Sequence, residues 1–227
     1  MSSDLQAKRV DSAAASRGIS GDPIYRAILS HVDALNLNGR ALDFGAGTGQ
    51  LAEALLQRGT FSEVHAVDLI DYSAENSAGI TWVFADLNER LPVPDATYDL
   101  IVAAEVIEHL ENPRFLAREW HRMLRPGGAL VISTPNNESW RSLVSLLARG
   151  HFTAFTGASY PAHITALLRS DILRFLLEAG FDDMDFAFTN SGAIPGFTSK
   201  SWQDISIGAL RGVRFSDNVI CTARKVG

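Results

Sequence analysis

Short, almost wholly apolar runs alternate with amphipathic stretches along this chain. ALDFG (41–45), EVHAVDL (63–69), ITWVFAD (80–86), YDLIVAA (98–104) and ALVISTP (129–135) are rich in Val, Ile and Phe. Such runs predict strands covered on both faces, as in a parallel sheet. QLAEALLQRG after the first run and PRFLAREWHRMLRPGG before the fifth carry helical periodicity. In the latter, Asn112 is the expected cap, Pro113 takes the first helical position, and Gly127 with Gly128 is expected to end the helix. A further helix is predicted over 23–37, with Asp22 as its cap and Pro23 inside it. The interval from Leu69 to Ile80 leaves room for only a turn or two of helix. Beyond the fifth run come a polar and aromatic segment (136–169), the helical SDILRFLLEAGF, a strand near 183–189, an irregular stretch (190–214) and a last strand near 216–224. This order predicts a doubly wound α/β sheet in a single domain, 1–227, whose ligands bind at the carboxyl ends of the strands. Residues 1–22, polar and Ala-rich, read as an extension that stays mobile until something binds, and 136–169 and 190–214 as insertions on the substrate side.

A chain of 227 residues with 46% hydrophobic content can build one large core. Its formal charge of −6, from 26 acidic and 20 basic residues without a dense Lys/Arg block, disfavours nucleic acid or an anionic membrane as a general partner. Arg141, Arg149 and Arg169 fall in one region and read as solvated charge rather than a basic pocket. The single Cys221 excludes an internal disulfide and fits a reducing compartment. With no apolar run of about 18 residues and no apolar leader, membrane insertion is not expected and the cytoplasm is the expected location.

The first predicted strand ends in LDFGAGTG, with Asp43, Gly45, Gly47 and Gly49. Glycines at a strand-to-helix turn allow positive φ and let a ligand approach without meeting a Cβ. Asp68 closes the second strand, where a carboxylate can accept both hydroxyls of a ribose. The spacing G-x-G-x-G differs from the dinucleotide fingerprint G-x-G-x-x-G, and Asp43 would oppose a phosphate while orienting an ammonium. A cationic, ribose-bearing ligand suits the loop better than a dinucleotide.

On these residues, together with FAD ending at Asp86, LPVPDATYDLIVAAEVIEHL and RMLRPGGALVISTPN, the sequence resembles the class I S-adenosylmethionine-dependent methyltransferases over residues 22–189. The resemblance implies a Rossmann-like, mostly parallel seven-stranded sheet whose last strand is antiparallel. It implies S-adenosyl-L-methionine as cofactor, with Gly45, Ala46 and Gly47 around the methionine part, Gly49 closing the loop, Asp68 and Leu69 at the ribose, and Asp86 and Leu87 at the adenine. Ala104 and Glu105 are then expected at the floor near the methyl group.

The run from YDLIVAA into EVIEHLE sets Glu105, Glu108, His109 and Glu111 at the end of a buried strand, and unpaired buried charge is costly. If a helix begins near Glu105, positions 105, 108 and 109 share a face and form half of a hard-metal site. The E-x-x-E-H spacing is similar to that of small-RNA 3′-end methyltransferases and some ubiquinone-pathway O-methyltransferases, in which a later histidine completes a divalent-metal site. That resemblance makes Glu105, Glu108, His109 and His163 candidate ligands for magnesium or zinc. His109, His163 and Glu108 are the candidate catalytic groups, as base or as metal ligands. The competing reading leaves the acids at a helix N-terminus with no ion and His109 against substrate or backbone. His31, His65 and His121 read as structural or surface groups. His151 can also reach the strand ends, and Trp140, Phe152, Phe155 and Tyr160 read either as substrate cover or as packing. The first expectation is O-methylation of a small-molecule hydroxyl, on a sugar or glycan precursor or an aromatic or quinone-like acceptor. The alternatives are 2′-O-methylation of an RNA 3′ end and a non-catalytic cofactor-binding scaffold.

Overall fold

Leu100 and Val102 pack on one side of the central sheet and Ile101 and Ala103 on the other, all without solvent contact. The same alternation separates Ala129 and Val131 from Leu130 and Ile132 in the next strand. Both faces are apolar, so both must be covered by helices. In the computed structural model, which describes residues 3–16, 20–72 and 79–226, they are.

The strands are β1 (Gly39–Phe44), β2 (Phe61–Asp68), β3 (Ile80–Phe84), β4 (Tyr98–Ala104), β5 (Leu124–Pro135), β6 (Phe181–Phe188), β7 (Ala193–Ile194), β8 (Phe197–Ser201) and β9 (Asn218–Lys225). The helices are α1 (Ser3–Ser16), α2 (Asp22–Leu35), α3 (Gln50–Gln57), α4 (Pro113–Met123), α5 (Trp140–Arg149), α6 (Arg169–Ala179) and α7 (Trp202–Ser206). Seven strands form one sheet in the order β3-β2-β1-β4-β5-β9-β6, and β7 with β8 makes a separate hairpin. β1 pairs in parallel with β2 and β4, whereas β9 runs antiparallel to both of its neighbours. The fold is the mostly parallel, Rossmann-like sheet with an antiparallel last strand. Chain order reverses between β1 and β4, which opens a crevice at their carboxyl ends.

Ile28 and Val32 of α2 and Leu51 and Leu55 of α3 bury one face of the sheet. Leu116 and Trp120 of α4 with Phe175 and Leu176 of α6 bury the other. Trp120 meets Phe44 edge to face, ring centroids 5.7 Å apart, anchoring α4 against β1.

Several elements depart from the sequence expectation. Asn112 caps α4 through the Phe115 amide as expected, but α4 stops at Met123, and Gly127 and Gly128 lie within β5. There the pairing with β4 shifts register between Tyr98 and Leu100, and Gly127 takes φ +81°. The glycines therefore serve a bulge rather than a helix end. Asp22 is the first residue of α2, and Gly21 occupies the cap position. Residues 190–214 are not irregular throughout, since they hold the β7–β8 hairpin and α7. Of the opening segment, the described residues Ser3–Ser16 form α1, which lies against the body through Arg9 and Ser12. The turn or two of helix expected between Leu69 and Ile80 falls largely outside the described residues. Among the described residues no helix is long and apolar enough to cross a membrane.

Candidate functional site

A cavity of about 500 Å³ opens at the carboxyl ends of β1 to β4. The glycine loop forms one wall. The Gly45 and Ala46 amides donate to the Val67 carbonyl at 2.9 and 3.0 Å, and Gly47 N–H donates to Asp68 Oδ2 at 2.8 Å. Gly45 has φ +75°, and a Cβ there would lie 2.5 Å from Val106 Cγ2. No other residue type fits that position without moving Val106. Gly49 has φ +78° and starts α3.

Asp43 is 1% exposed, and its Oδ2 has no hydrogen-bond partner. Burial pushes its carboxyl up to about 7, against the pull of the Ala52 amide and with a further push from Asp68. A buried carboxylate oxygen left open beside the cavity fits a ligand ammonium, as the methionine end of S-adenosylmethionine provides. Asp68 accepts from the Gly47 and Ile70 amides, and burial raises its pKa. Asp86 Oδ1 accepts from the Asn88 backbone and side-chain amides, while Oδ2 faces Arg9. Leu69, Leu87, Ala46 and Ala104 supply apolar lining. Of the expected cofactor residues, Gly47 and Gly49 shape the loop and the others border the cavity. The acceptor carboxylates, the apolar strip and the room a glycine leaves fit S-adenosylmethionine.

The other end of the cavity centres on the turn after β4. A short 3₁₀ turn, Ile107–His109, follows in place of the expected helix. Glu105 sits just before it at φ +56°, a left-handed conformation uncommon for this residue type. That break in helical geometry separates Glu105 from Glu108 and His109. Its carboxyl turns into the sheet, where Oε1 accepts from Ser133 Oγ at 2.9 Å and Oε2 from Asn218 Nδ2 at 2.8 Å. Burial pushes it up to about 7. The expectation of Glu105 as a metal ligand is corrected: its oxygens are committed to β5 and β9.

Glu108, His109 and His163 do converge, with their ligand atoms all within 4.8 Å of one another. The backbone explains how a distant segment arrives there. Ile164 and Thr165 amides both donate to the Glu108 carbonyl, at 2.9 and 3.0 Å, and Thr165 Oγ1 donates to the Leu110 carbonyl. Glu108 is fully buried, its Oε2 accepts from Thr134 Oγ1, and its Oε1 has no partner. Burial first, and the neighbouring Glu105 second, hold its carboxyl well above the usual range. His109 Nδ1 lies 2.8 Å from the Ala162 carbonyl and His163 Nδ1 2.7 Å from that of Ala154. A carbonyl only accepts, so each Nδ1 carries the proton and each Nε2 is the nitrogen with a lone pair. Burial lowers the pKa of both rings, for His109 against the raising effect of the Ala162 carbonyl.

The remaining candidates divide clearly. Tyr160 borders the cavity and Phe155 packs on the His163 ring, whereas Trp140 lies under the Arg214 guanidinium. Arg141 pairs with Asp217 and Arg169 with Glu138, so neither forms a basic pocket. His65 bonds the Tyr98 hydroxyl, and His121 stands edge to face with Phe181. The sequence reading missed Lys8, Arg9 and Ser12 of α1, Tyr25 of α2, and Asn218. The first four border the cavity and the last orients Glu105. Thr134 and Asn218 lie in mostly apolar strands whose pattern does not mark them out, and only strand order could have pointed to them.

A glycine loop, two acids following successive strands and a polar cluster at the other end of one cleft fit a transferase that uses a nucleoside cofactor. A profile of the methyltransferase domain family matches residues 22–185, and the chain belongs to that family as an S-adenosylmethionine-dependent methyltransferase. It is 26% identical over 191 residues to the ubiquinone biosynthesis O-methyltransferase of Idiomarina loihiensis, covering 81% of this chain and 77% of that protein. It is 34% identical over 151 residues to the malonyl-(acyl-carrier protein) O-methyltransferase of Halorhodospira halophila, covering 63% of this chain but 48% of that protein. Among solved structures, a SAM-dependent methyltransferase from Archaeoglobus fulgidus superposes with TM-score 0.63 at 20% identity, over 89% of this chain and 93% of that one, a likeness of fold.

Proposed function

We propose that the enzyme transfers a methyl group to the hydroxyl of a small molecule, and that Glu108, His109 and His163 hold a divalent cation at the acceptor end of the cleft. The observation that carries this reading is the buried Glu108 carboxylate, with one oxygen unpartnered, within 4.8 Å of two imidazoles whose Nδ1 atoms are already tied to backbone carbonyls. Backbone or carboxylate partners on the far nitrogen are how ligating histidines are oriented. Two imidazoles and one carboxylate favour zinc over magnesium.

S-adenosylmethionine supplies a methyl group already activated by its positive sulfur. A divalent cation held by the three side chains would lower the pKa of an acceptor hydroxyl and fix its oxygen. The protein's own task is then alignment and exclusion of water. Asp43 and the glycine loop set one end of the cofactor, Asp68 its middle, and Val106, over Gly45, the floor below it. Burial keeps both histidines neutral at pH 7, the form that ligates a metal or takes a proton.

At the rim, Tyr160 is 71% exposed and Ile164 42% exposed while both border the cavity. Exposed apolar groups at a polar mouth favour an acceptor with an aromatic or apolar body over a sugar. The name of the Idiomarina loihiensis relative supports an oxygen acceptor of quinone-like type. The test is release of S-adenosylhomocysteine over a panel of catechols, hydroquinones, sugar nucleotides, amines and short RNAs. Turnover is expected on phenolic hydroxyls, and turnover confined to amines would overturn the reading.

A further inference from the structure

α1 crosses the mouth of the cavity, and Lys8, Arg9, Ser12 and Ala13 form part of its lining. Arg9 is its anchor on the cofactor side. Nη1 donates to Asp86 Oδ2 at 2.8 Å and to Glu89 Oε1 at 2.9 Å, and Nε and Nη2 grip both oxygens of Glu111 at 3.0 and 2.8 Å. The side chain is only 10% exposed. Farther along the helix, Ser12 Oγ donates to the Pro161 carbonyl at 2.7 Å, in the segment that carries His163. One helix is thereby tied to both ends of the cleft.

We propose that Arg9 is a cofactor-binding residue, forming the roof of the adenine subsite above Asp86 and Leu87. The proposal rests on the reading of Asp86 as the acid that faces the adenine amino group. Arg9 acts in two ways. Its planar, weakly hydrated guanidinium stacks well on an aromatic base, and it borders the same cavity as Leu69, Asp86 and Leu87. It also fixes the Asp86 carboxylate. Oδ1 is held by Asn88 and Oδ2 by Arg9, so the acid enters the complex already oriented, with lone pairs to spare for an amine. Glu111 and Glu89 also hold the guanidinium, and of these two only Glu89 lies outside the cavity lining.

The ordering cost of α1 is met in part by these bonds, so the helix should tighten further when the base fills the space beneath it. A residue that merely staples the helix would respond differently from one that touches the ligand. Glu89→Gln loosens the same staple from outside, while Arg9→Ala removes the roof.

The test is calorimetric binding of S-adenosylhomocysteine and of 5′-methylthioadenosine to the full chain, with thermal melting to verify that each variant folds. Arg9→Ala is expected to weaken both ligands by about ten-fold, the loss of a charged hydrogen bond or a stacked cation, with Arg9→Lys between it and the wild type. Glu89→Gln is expected to stay within about two-fold of wild type, since exposed pairs contribute little. Wild-type affinity in Arg9→Ala, or equal losses in Arg9→Ala and Glu89→Gln, would overturn the proposal. Asp86→Ala separates it from the reading beneath: it must weaken both ligands, and if it does not, the adenine assignment itself fails and the roof with it.

Discussion

His109 and His163 stand edge to face, ring centroids 4.8 Å apart at 74°, each with its Nδ1 proton given to a backbone carbonyl. Two neutral imidazoles at that distance would repel once protonated, and burial already disfavours their charge. Under the proposed function, the pair offers its two unprotonated nitrogens to one guest. With the Glu108 carboxylate within 4.8 Å of them, the pair matches the cation site proposed above.

Removal of one ring should separate chemistry from cofactor binding. His163→Ala is expected to lower kcat by about 10² to 10³ while the Kd for S-adenosylmethionine changes less than about two-fold. Single-turnover kinetics alongside calorimetry would check this. A matching loss of cofactor affinity would place His163 in the cofactor site instead.

Glu105 is expected to behave as a structural group. Glu105→Ala leaves the Ser133 hydroxyl and the Asn218 amide without their partner, costing about 1 to 3 kcal/mol in denaturant unfolding. Glu105→Gln retains most of those bonds and is expected to keep the ion-binding stoichiometry of the wild type. Loss of the ion in Glu105→Gln would restore it as a ligand.

The buried acids set the sign of the pH dependence. Asp43 has its carboxyl raised to about 7 in the fold, against about 4 unfolded, so its contribution to stability is complete below pH 4 and is lost as pH rises through 7. Glu105, also raised to about 7, acts in the same direction. His109 and His163 act oppositely, since their lowered pKa values remove stability as pH falls below their unfolded value near 6.5. Without ligand, Asp43→Asn is therefore expected to gain about 1 kcal/mol on the wild type between pH 6 and 8 in urea unfolding. S-adenosylhomocysteine, whose ammonium can face Asp43, should narrow that gap.

The sheet was legible because its strands are covered on both faces, which makes each a nearly unbroken apolar run such as YDLIVAA. The glycine loop was legible because Gly45 tolerates no side chain against Val106. Three features were not. α1 lacks an apolar face strong enough to read, and the salt links of Arg9 to distant acids hold it in place. The position of Glu105 depended on assuming helix where a single left-handed residue intervenes. Gly127 and Gly128 read as a helix stop, although the bulge in β5 uses the same conformational freedom. In each case a tertiary contact decided what local pattern left open.

Metal stoichiometry tests the acceptor site most directly. Chelator-treated protein titrated with zinc or manganese in the presence of S-adenosylhomocysteine is expected to take up one ion per chain, with at least about ten-fold weaker binding in Glu108→Ala and His163→Ala. Full transferase activity in chelator-treated protein that binds no ion would contradict it.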